Sequence, residues 1–242
     1  MLNKIFDNLK TLMIALFIAV LIRSLFFQPF YIPSSSMEPT LLVGDRIFVS
    51  KYSYGYSKHS FPFSPPIFSG RIFYSKPNYG DLVVFKTPSD NRTDFIKRLI
   101  GFPGDEVQFK NGELIINNKI ISKKKTIFRS DIRCANNDME VTEFIEENIN
   151  QKSYKIVYKN QGSWINTDLY KVPQNHYFFL GDNRDCSSDS RVLINVGYVH
   201  ENNLVGKARL IFFSNNTKDG SVLKFWNWNK SFRTDRFFKT IE

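Results

Sequence analysis

The sequence predicts a mainly β protein in which an N-terminal transmembrane helix precedes an antiparallel β-sheet domain with an inserted smaller β-rich subdomain. Three observations predict it. The longest apolar run, 12–22, lies near the N-terminus. Beyond residue 30, short β-branched and aromatic runs alternate with Gly, Pro, Asn and Asp, the punctuation of antiparallel sheet. Asn111-Gly112 stands between Val-Gln-Phe-Lys and Glu-Leu-Ile-Ile, and a type I′ hairpin turn needs positive φ at both of its central positions.

The helix comes first. Crossing a hydrocarbon core of roughly 30 Å takes about 20 residues at 1.5 Å rise. The run reaches the lower limit only as 11–27, with Arg23 snorkelling at the far interface. Lys4 and Lys10 before the run also fit a cleavable signal peptide, but bulky residues follow it and no small-x-small site is present, which favours a retained anchor. Lys4 and Lys10 on the near side against Arg23 on the far side place the N-terminus (1–10) in the cytoplasm and export the body.

Strands are expected at 46–50, 81–85, 95–100, 106–109, 113–116, 155–158, 177–180 and 205–213. The core of the body is assigned to 28–52, 80–105 and 172–242, and the inserted subdomain to 53–79 and 106–171. Within the latter, 119–150 carries a basic block (Lys123, Lys124, Lys125, Arg129, Arg133) and then an acidic one (Glu140, Glu143, Glu146, Glu147), which reads as solvated surface.

Composition removes several function classes. The chain of 242 residues has 33 basic and 23 acidic side chains, a net +10, with 42% apolar and 16% aromatic residues, so it has the means to build a core and is not a basic disordered tail. Two cysteines, Cys134 and Cys186, are too few for zinc ribbons or iron–sulfur clusters, and whether they pair is open. The basic residues form no stripe interleaved with stacking aromatics, which argues against nucleic acid. His59, His176 and His200 lack a local carboxylate or cysteine partner, which disfavours a histidine triad.

Three polar clusters interrupt the β pattern. The first is Ile-Pro-Ser-Ser-Ser-Met-Glu-Pro-Thr-Leu at 32–41. The second, 94–105, alternates so that Phe95, Lys97 and Leu99 face one way and Ile96, Arg98 and Ile100 the other; whichever face is buried takes a cation with it. A buried lysine loses its charge preference and becomes a base, able to take a serine proton without histidine. The third cluster is Gly-Asp-Asn-Arg-Asp-Cys-Ser-Ser-Asp-Ser-Arg at 181–191. An EF-hand register fails there: counted from Asp185, position six is Ser190 and position twelve Val196. Its two arginines among carboxylates predict an internally paired, rigid loop that holds a serine hydroxyl against Lys97.

In order along the chain, Pro-Ser-x-Ser-Met-x-Pro-Thr-Leu, Gly-Asp-Leu-Val-Val-Phe (80–85), Phe-Ile-Lys-Arg-x-Ile-Gly-x-Pro-Gly-Asp and Gly-Asp-Asn-Arg-Asp-x-Ser-x-Asp-Ser-Arg closely resemble bacterial signal peptidase I. The resemblance implies a Ser-Lys endopeptidase with no cofactor or metal. Ser36 would be its nucleophile, Lys97 its general base, and the Ser34 hydroxyl with the Ser36 N–H its oxyanion hole. Ser187 would orient the lysine, and Asp182, Arg184, Asp189 and Arg191 would buttress the site by ion pairs. Substrates would be signal peptides of exported preproteins, bound as an added β-strand and cut after small residues at minus-one and minus-three. Pocket residues by position are Phe30, Ile32, Met37, Leu41, Ile96 and Ser188, with Phe95 and Val83 less firmly placed.

The resemblance further implies a single-pass protein of the bacterial inner membrane with its catalytic domain on the outer face, in contact with lipid and with the protein translocation machinery. Cys186 departs from the family pattern and raises redox-sensitive activity. Two rival readings stand beside this one: a cytosolic Ser-Lys autoprotease, which should lack an anchor, and a tethered β-sandwich. In the latter, the tail residues Phe225, Trp226, Trp228, Lys230, Phe232, Arg233, Arg236, Phe237 and Phe238 would meet the lipid interface. Ordinary core packing of those aromatics is the simpler expectation.

Overall fold

The computed structural model describes residues 2–66, 68–134, 137–216 and 231–241. Helix α1, Leu2–Leu25, opens the chain. Its segment Lys4–Leu25, 22 residues, is long and apolar enough to cross a membrane, and only its last turn, at Ser24 and Leu25, meets the body. A helix apolar on all sides and exposed along all but its last turn suits lipid rather than a soluble core. The expected span of 11–27 is corrected here: the helix gains its length upstream, and Phe27 already begins the first strand. Pro29 explains the stop, because proline forces the residue before it out of the α region.

Among the described residues fifteen strands are assigned: β1 Phe27–Tyr31, β2 Asp45–Ser50, β3 Leu82–Lys86, β4 Asp94–Gly101, β5 Glu106–Lys110, β6 Glu113–Ile116, β7 Lys119–Ile120, β8 Lys123–Cys134, β9 Asn137–Glu147, β10 Ser153–Lys159, β11 Tyr170–Lys171, β12 His176–Leu180, β13 Val199–His200, β14 Leu204–Ser214 and β15 Lys239–Thr240. The main sheet runs β1-β2-β14-β3-β4-β12-β13, with β15 on β14; a second runs β11-β5-β6-β7 and a third β10-β9-β8. Every strand pair in these sheets is antiparallel. The turn between β5 and β6 has Asn111 at φ 50° and Gly112 at φ 79°, as the Asn-Gly pair predicts.

The core is continuous across the sheets. Ile100 of β4 and Phe178 and Leu180 of β12 pack with Val107, Phe109, Leu114 and Ile116 of the second sheet and with Ile156 of the third. The reading of 119–150 as solvated surface is therefore corrected. Most of those residues form the long pair β8–β9, which buries Ile132 and Val141 together with Glu143 and Glu146, and Ile121 just before it is buried too. The buried acids are matched by cations, as Glu143 is by Arg129 at 2.9 Å and Glu146 by Arg184 at 2.8 Å.

In the C-terminal tail, Phe225, Trp226, Trp228 and Lys230 lie outside the described residues. Phe232 and Phe237 pack on Phe213 of β14, ring centroids 5.2 Å apart in both cases, and Arg236 pairs with the buried Asp45 at 2.6 Å. For these residues core packing is the observed arrangement.

Candidate active site

Strand β4 lies inside the main sheet with layers on both faces. Alternation requires one of its cations to be buried, and the fold buries both: Lys97 is 3% exposed and Arg98 1%. Lys97 shares its face with Leu99, whose cluster contains Val83, Phe85 and Phe179. Arg98 points the other way and donates to Asp182 and to the Gly80 carbonyl.

Ser36 lies in a one-turn 3₁₀ helix, Ser35–Met37, and is buried. Lys97 Nζ donates to Ser36 Oγ at 2.5 Å, and Ser34 Oγ, on the exposed side, is 3.3 Å from Ser36 Oγ. Burial lowers the Lys97 amine to about 8; the carboxylates of Asp189 and Asp182 pull against this and the Arg191 guanidinium adds to it. At pH 7 about a tenth of this amine is therefore neutral and free to accept a proton, against well under a thousandth for an ordinary lysine.

The loop 181–191 closes over the serine turn. Asn183 N–H donates to the Ser36 carbonyl at 3.2 Å, and its side-chain amide donates to the carbonyls of Ser35 at 3.2 Å and Arg133 at 2.9 Å. Gly181 makes the approach possible, since a Cβ there would fall 2.2 Å from Ser187 Oγ and 2.5 Å from the Ser36 carbonyl oxygen. Cys134, at the end of β8, is bonded to Cys186 across 52 residues, with Cα atoms 5.4 Å apart, so the long hairpin is covalently tied to this loop.

The expectation of an internally paired loop is corrected in part. Asp189 and Arg191 do pair within it at 2.8 Å; burial raises the Asp189 carboxyl, yet the Arg191 charge and hydrogen bonds hold it below its ordinary value. Asp182 instead pairs with Arg98 of β4 at 2.7 Å, and Arg184 with Glu146 of β9, Nη1 to Oε2 at 2.8 Å. Each outside partner ties the loop to a different strand.

Among the other sequence-predicted residues, Phe30, Ile32, Met37, Leu41 and Ile96 meet in one apolar cluster with Leu82 and Val84. Ser188 is apart from that cluster and accepts from Asn195 Nδ2 at 2.6 Å. Val83 and Phe95 belong to the cluster on the Lys97 face. Ser187 Oγ is buried and makes no hydrogen bond.

Sequence reasoning did not assign Gly181, Asn183, Thr40 or Glu146. Thr40 Oγ1 donates to Asp182 at 2.5 Å. Gly181, Asn183 and Thr40 all stand inside the quoted motifs, so their signal was there to be read. Glu146 had none, being one acid in an acidic block.

The model of the family described as signal peptidase, peptidase S26, matches residues 5–213. Signal peptidase I of Rickettsia akari (strain Hartford) is 39% identical, over 93% of this chain and 88% of that protein. Signal peptidase I of Rickettsia conorii is 40% identical over the same shares. A signal peptidase I crystal structure from Enterococcus faecalis is 24% identical and covers 55% of this chain and 97% of that one, with a TM-score of 0.32. The family match and the Rickettsia relatives define a protease, here carried behind an apolar N-terminal helix. The chain belongs to the signal peptidase family, peptidase S26, and its activity is the removal of signal peptides.

Proposed function

We propose that Ser36 and Lys97 carry out this cleavage as a nucleophile and general base, without histidine. The supporting observation is the 2.5 Å contact between Ser36 Oγ and Lys97 Nζ, both buried, with the amine lowered to about 8. In its neutral form the amine accepts the Ser36 proton as Oγ attacks the scissile carbonyl. The resulting ammonium then gives that proton to the departing amine. Water, deprotonated in turn by Lys97, hydrolyses the ester and regenerates Ser36. The Ser34 hydroxyl and the Ser36 N–H stabilise the oxyanion, one such donor being worth about 2.7–4 kcal/mol. Ser187 is the hydroxyl nearest Gly181 and is available to orient the amine; Asp182, Arg184, Asp189 and Arg191 hold the loop around it.

The substrate binds as a strand along β4. Strand β3 pairs with residues 94–98 of β4 but β12 only with 98–101, so 94–97 has a second edge without a paired strand among the described residues. An extended peptide there sends alternate side chains to one face, toward the apolar cluster of Phe30, Ile32, Met37, Leu41 and Ile96. Ser188 sits apart from this cluster, against Asn195. Near-complete burial of Ile32, Met37 and Leu41 leaves shallow pockets, which suits small residues at minus-one and minus-three.

The chain is anchored in the bacterial inner membrane with residues N-terminal to the span in the cytoplasm and the body on the periplasmic face, beside the translocation machinery that delivers preproteins. The Cys134–Cys186 disulfide supports this side, because such bonds persist in oxidising compartments.

Incubating full-length wild type, Ser36→Ala and Lys97→Ala with a preprotein bearing an Ala-x-Ala junction tests the reading by intact mass. Cleavage after the second alanine is expected from wild type alone. Cleavage by either folded variant overturns the dyad.

A further inference from the structure

A cleft of about 490 Å³ lies where the last turn of α1 meets the edge of the main sheet, sharing Phe30 and Asp94 with the proposed substrate edge and extending away from Ser36 and Lys97. Five cations line it: Arg23 from α1, Lys51 after β2, Lys58, and Lys86 and Arg92 from the β3–β4 hairpin. Its two carboxylates are already engaged. Asp94 pairs with Lys86 at 2.9 Å, and Asp90 accepts the Thr87 and Thr93 hydroxyls and the Arg92 and Thr93 amides of its own turn. Five cations against these two carboxylates leave the cleft net positive.

Two buried groups make this more than a charged surface. Lys51 is 2% exposed; its ammonium has three donors, and it gives one to the Ser60 carbonyl at 2.7 Å with no carboxylate in ion-pair range among the described residues. His59 is buried beside it, with Nδ1 against Ser64 Oγ at 2.9 Å and Nε2 enclosed without any partner. A buried ammonium lacking a counter-ion and an orphaned imidazole nitrogen are each costly, and one bound anion with several oxygens satisfies both.

The position of the cleft says which anion. Arg23 belongs to the end of the membrane-spanning helix, at headgroup level. The body is tied to that end by the Tyr56 hydroxyl, which donates to the Leu25 carbonyl at 2.8 Å, and by the Lys51 N–H, which donates to the Phe26 carbonyl at 2.9 Å. Phe63, in the turn that lines the cleft, is fully exposed, an aromatic at the height where such rings lie in the interface.

We propose that this cleft binds the phosphodiester headgroup of an anionic membrane phospholipid, with Lys51 and His59 beneath the phosphate and Arg23, Lys58 and Arg92 around it. The inference rests on the membrane-anchored reading above. The bound headgroup sets the height of the body over the bilayer, and with it the distance of Ser36 from the membrane surface.

The test uses the full chain in detergent micelles carrying equal amounts of phosphatidylglycerol and phosphatidylcholine, with retained lipid counted by native mass spectrometry. Wild type retains phosphatidylglycerol in preference. Each cation near an anionic headgroup is worth about fivefold in affinity, so Lys58→Ala with Arg92→Ala loses about 25-fold. Lys124→Ala with Lys125→Ala removes the same charge from the exposed hairpin and leaves retention unchanged.

Equal retention of the two lipids, no loss in the Lys58/Arg92 variant, or the same loss in the hairpin control would each overturn the proposal. So would displacement of the lipid by inorganic phosphate at equal concentration, which would make this a site for free phosphate, or by a signal-peptide segment, which would make it part of the substrate path. Cleavage is not the readout, so failure of the Ser36–Lys97 assignment would leave the lipid result standing, and the reverse.

Discussion

Arg98 grips Asp182 through two parallel hydrogen bonds, Nε to Oδ1 at 2.8 Å and Nη2 to Oδ2 at 2.7 Å, with both side chains sealed from water. The residue before Arg98 is Lys97, so one strand projects the proposed base from one face and clamps the 181–191 loop from the other. The loop in turn bonds the serine turn through Asn183. Ser36 and Lys97 are thereby held from both sides by the same short stretch of β4.

Arg98→Ala should destabilise the protein by about 3–5 kcal/mol, because it leaves Asp182 buried with its charge uncompensated. Arg98→Lys recovers little, since an ammonium cannot reproduce the bidentate fork. Replacing both partners, Arg98→Met with Asp182→Leu, should restore most of the stability but not cleavage. Urea melts beside an activity assay separate these outcomes.

Lys97→Met should abolish cleavage while making the protein more stable at pH 7. The amine stands at about 8 folded against 10.5 unfolded. Below about 8 both states carry the proton and the folded state bears the cost of burying a charge. Between 8 and 10.5 the unfolded state binds more protons, so wild-type stability rises with pH. At about 1.4 kcal/mol per pH unit the methionine gains up to about 3 kcal/mol at pH 7, shrinking toward zero near pH 10. Cleavage by wild type should rise with pH and level off above about 8, and melts at pH 7 and 10 with a kcat–pH profile check both parts.

Gly181→Ala should lower kcat more than it changes KM. The added methyl can push the Ser187 hydroxyl aside, but it also meets the Ser36 carbonyl oxygen at 2.5 Å, which is backbone and carries the nucleophile with it. A shift on the order of 1 Å at a reacting group costs about 10²-fold. An unchanged kcat in a folded variant would show that the serine turn does not depend on this contact.

A thiol reagent alone should leave cleavage unchanged, because both cysteines are joined to each other. Reduction followed by alkylation should lower stability by about 2–4 kcal/mol, the usual worth of a bond closing a loop of this length. Activity should fall with it as the 181–191 loop loses its tie to β8. Calorimetry and cleavage rates with and without reductant read the two effects.

By itself the sequence determined the local events: an apolar stretch near the N-terminus, the Asn111-Gly112 hairpin, the placing of most main-sheet strands, and three polar clusters whose residue types pointed to serine and lysine. These depend on neighbours within a few positions, where alternation and turn chemistry act. Only the tertiary structure decided the rest. Alternation along 95–100 required one buried cation, but burying both Lys97 and Arg98 needed layers on each face of β4, supplied by distant segments. The charged stretch 119–150 became a core-bearing hairpin because its acids found partners elsewhere, Glu146 meeting Arg184 across 38 residues. Cys134 met Cys186 across 52 for the same reason. Such pairings are set by where the chain returns, and burial then makes them obligatory, since a charge removed from water must be matched by whatever the fold brings beside it.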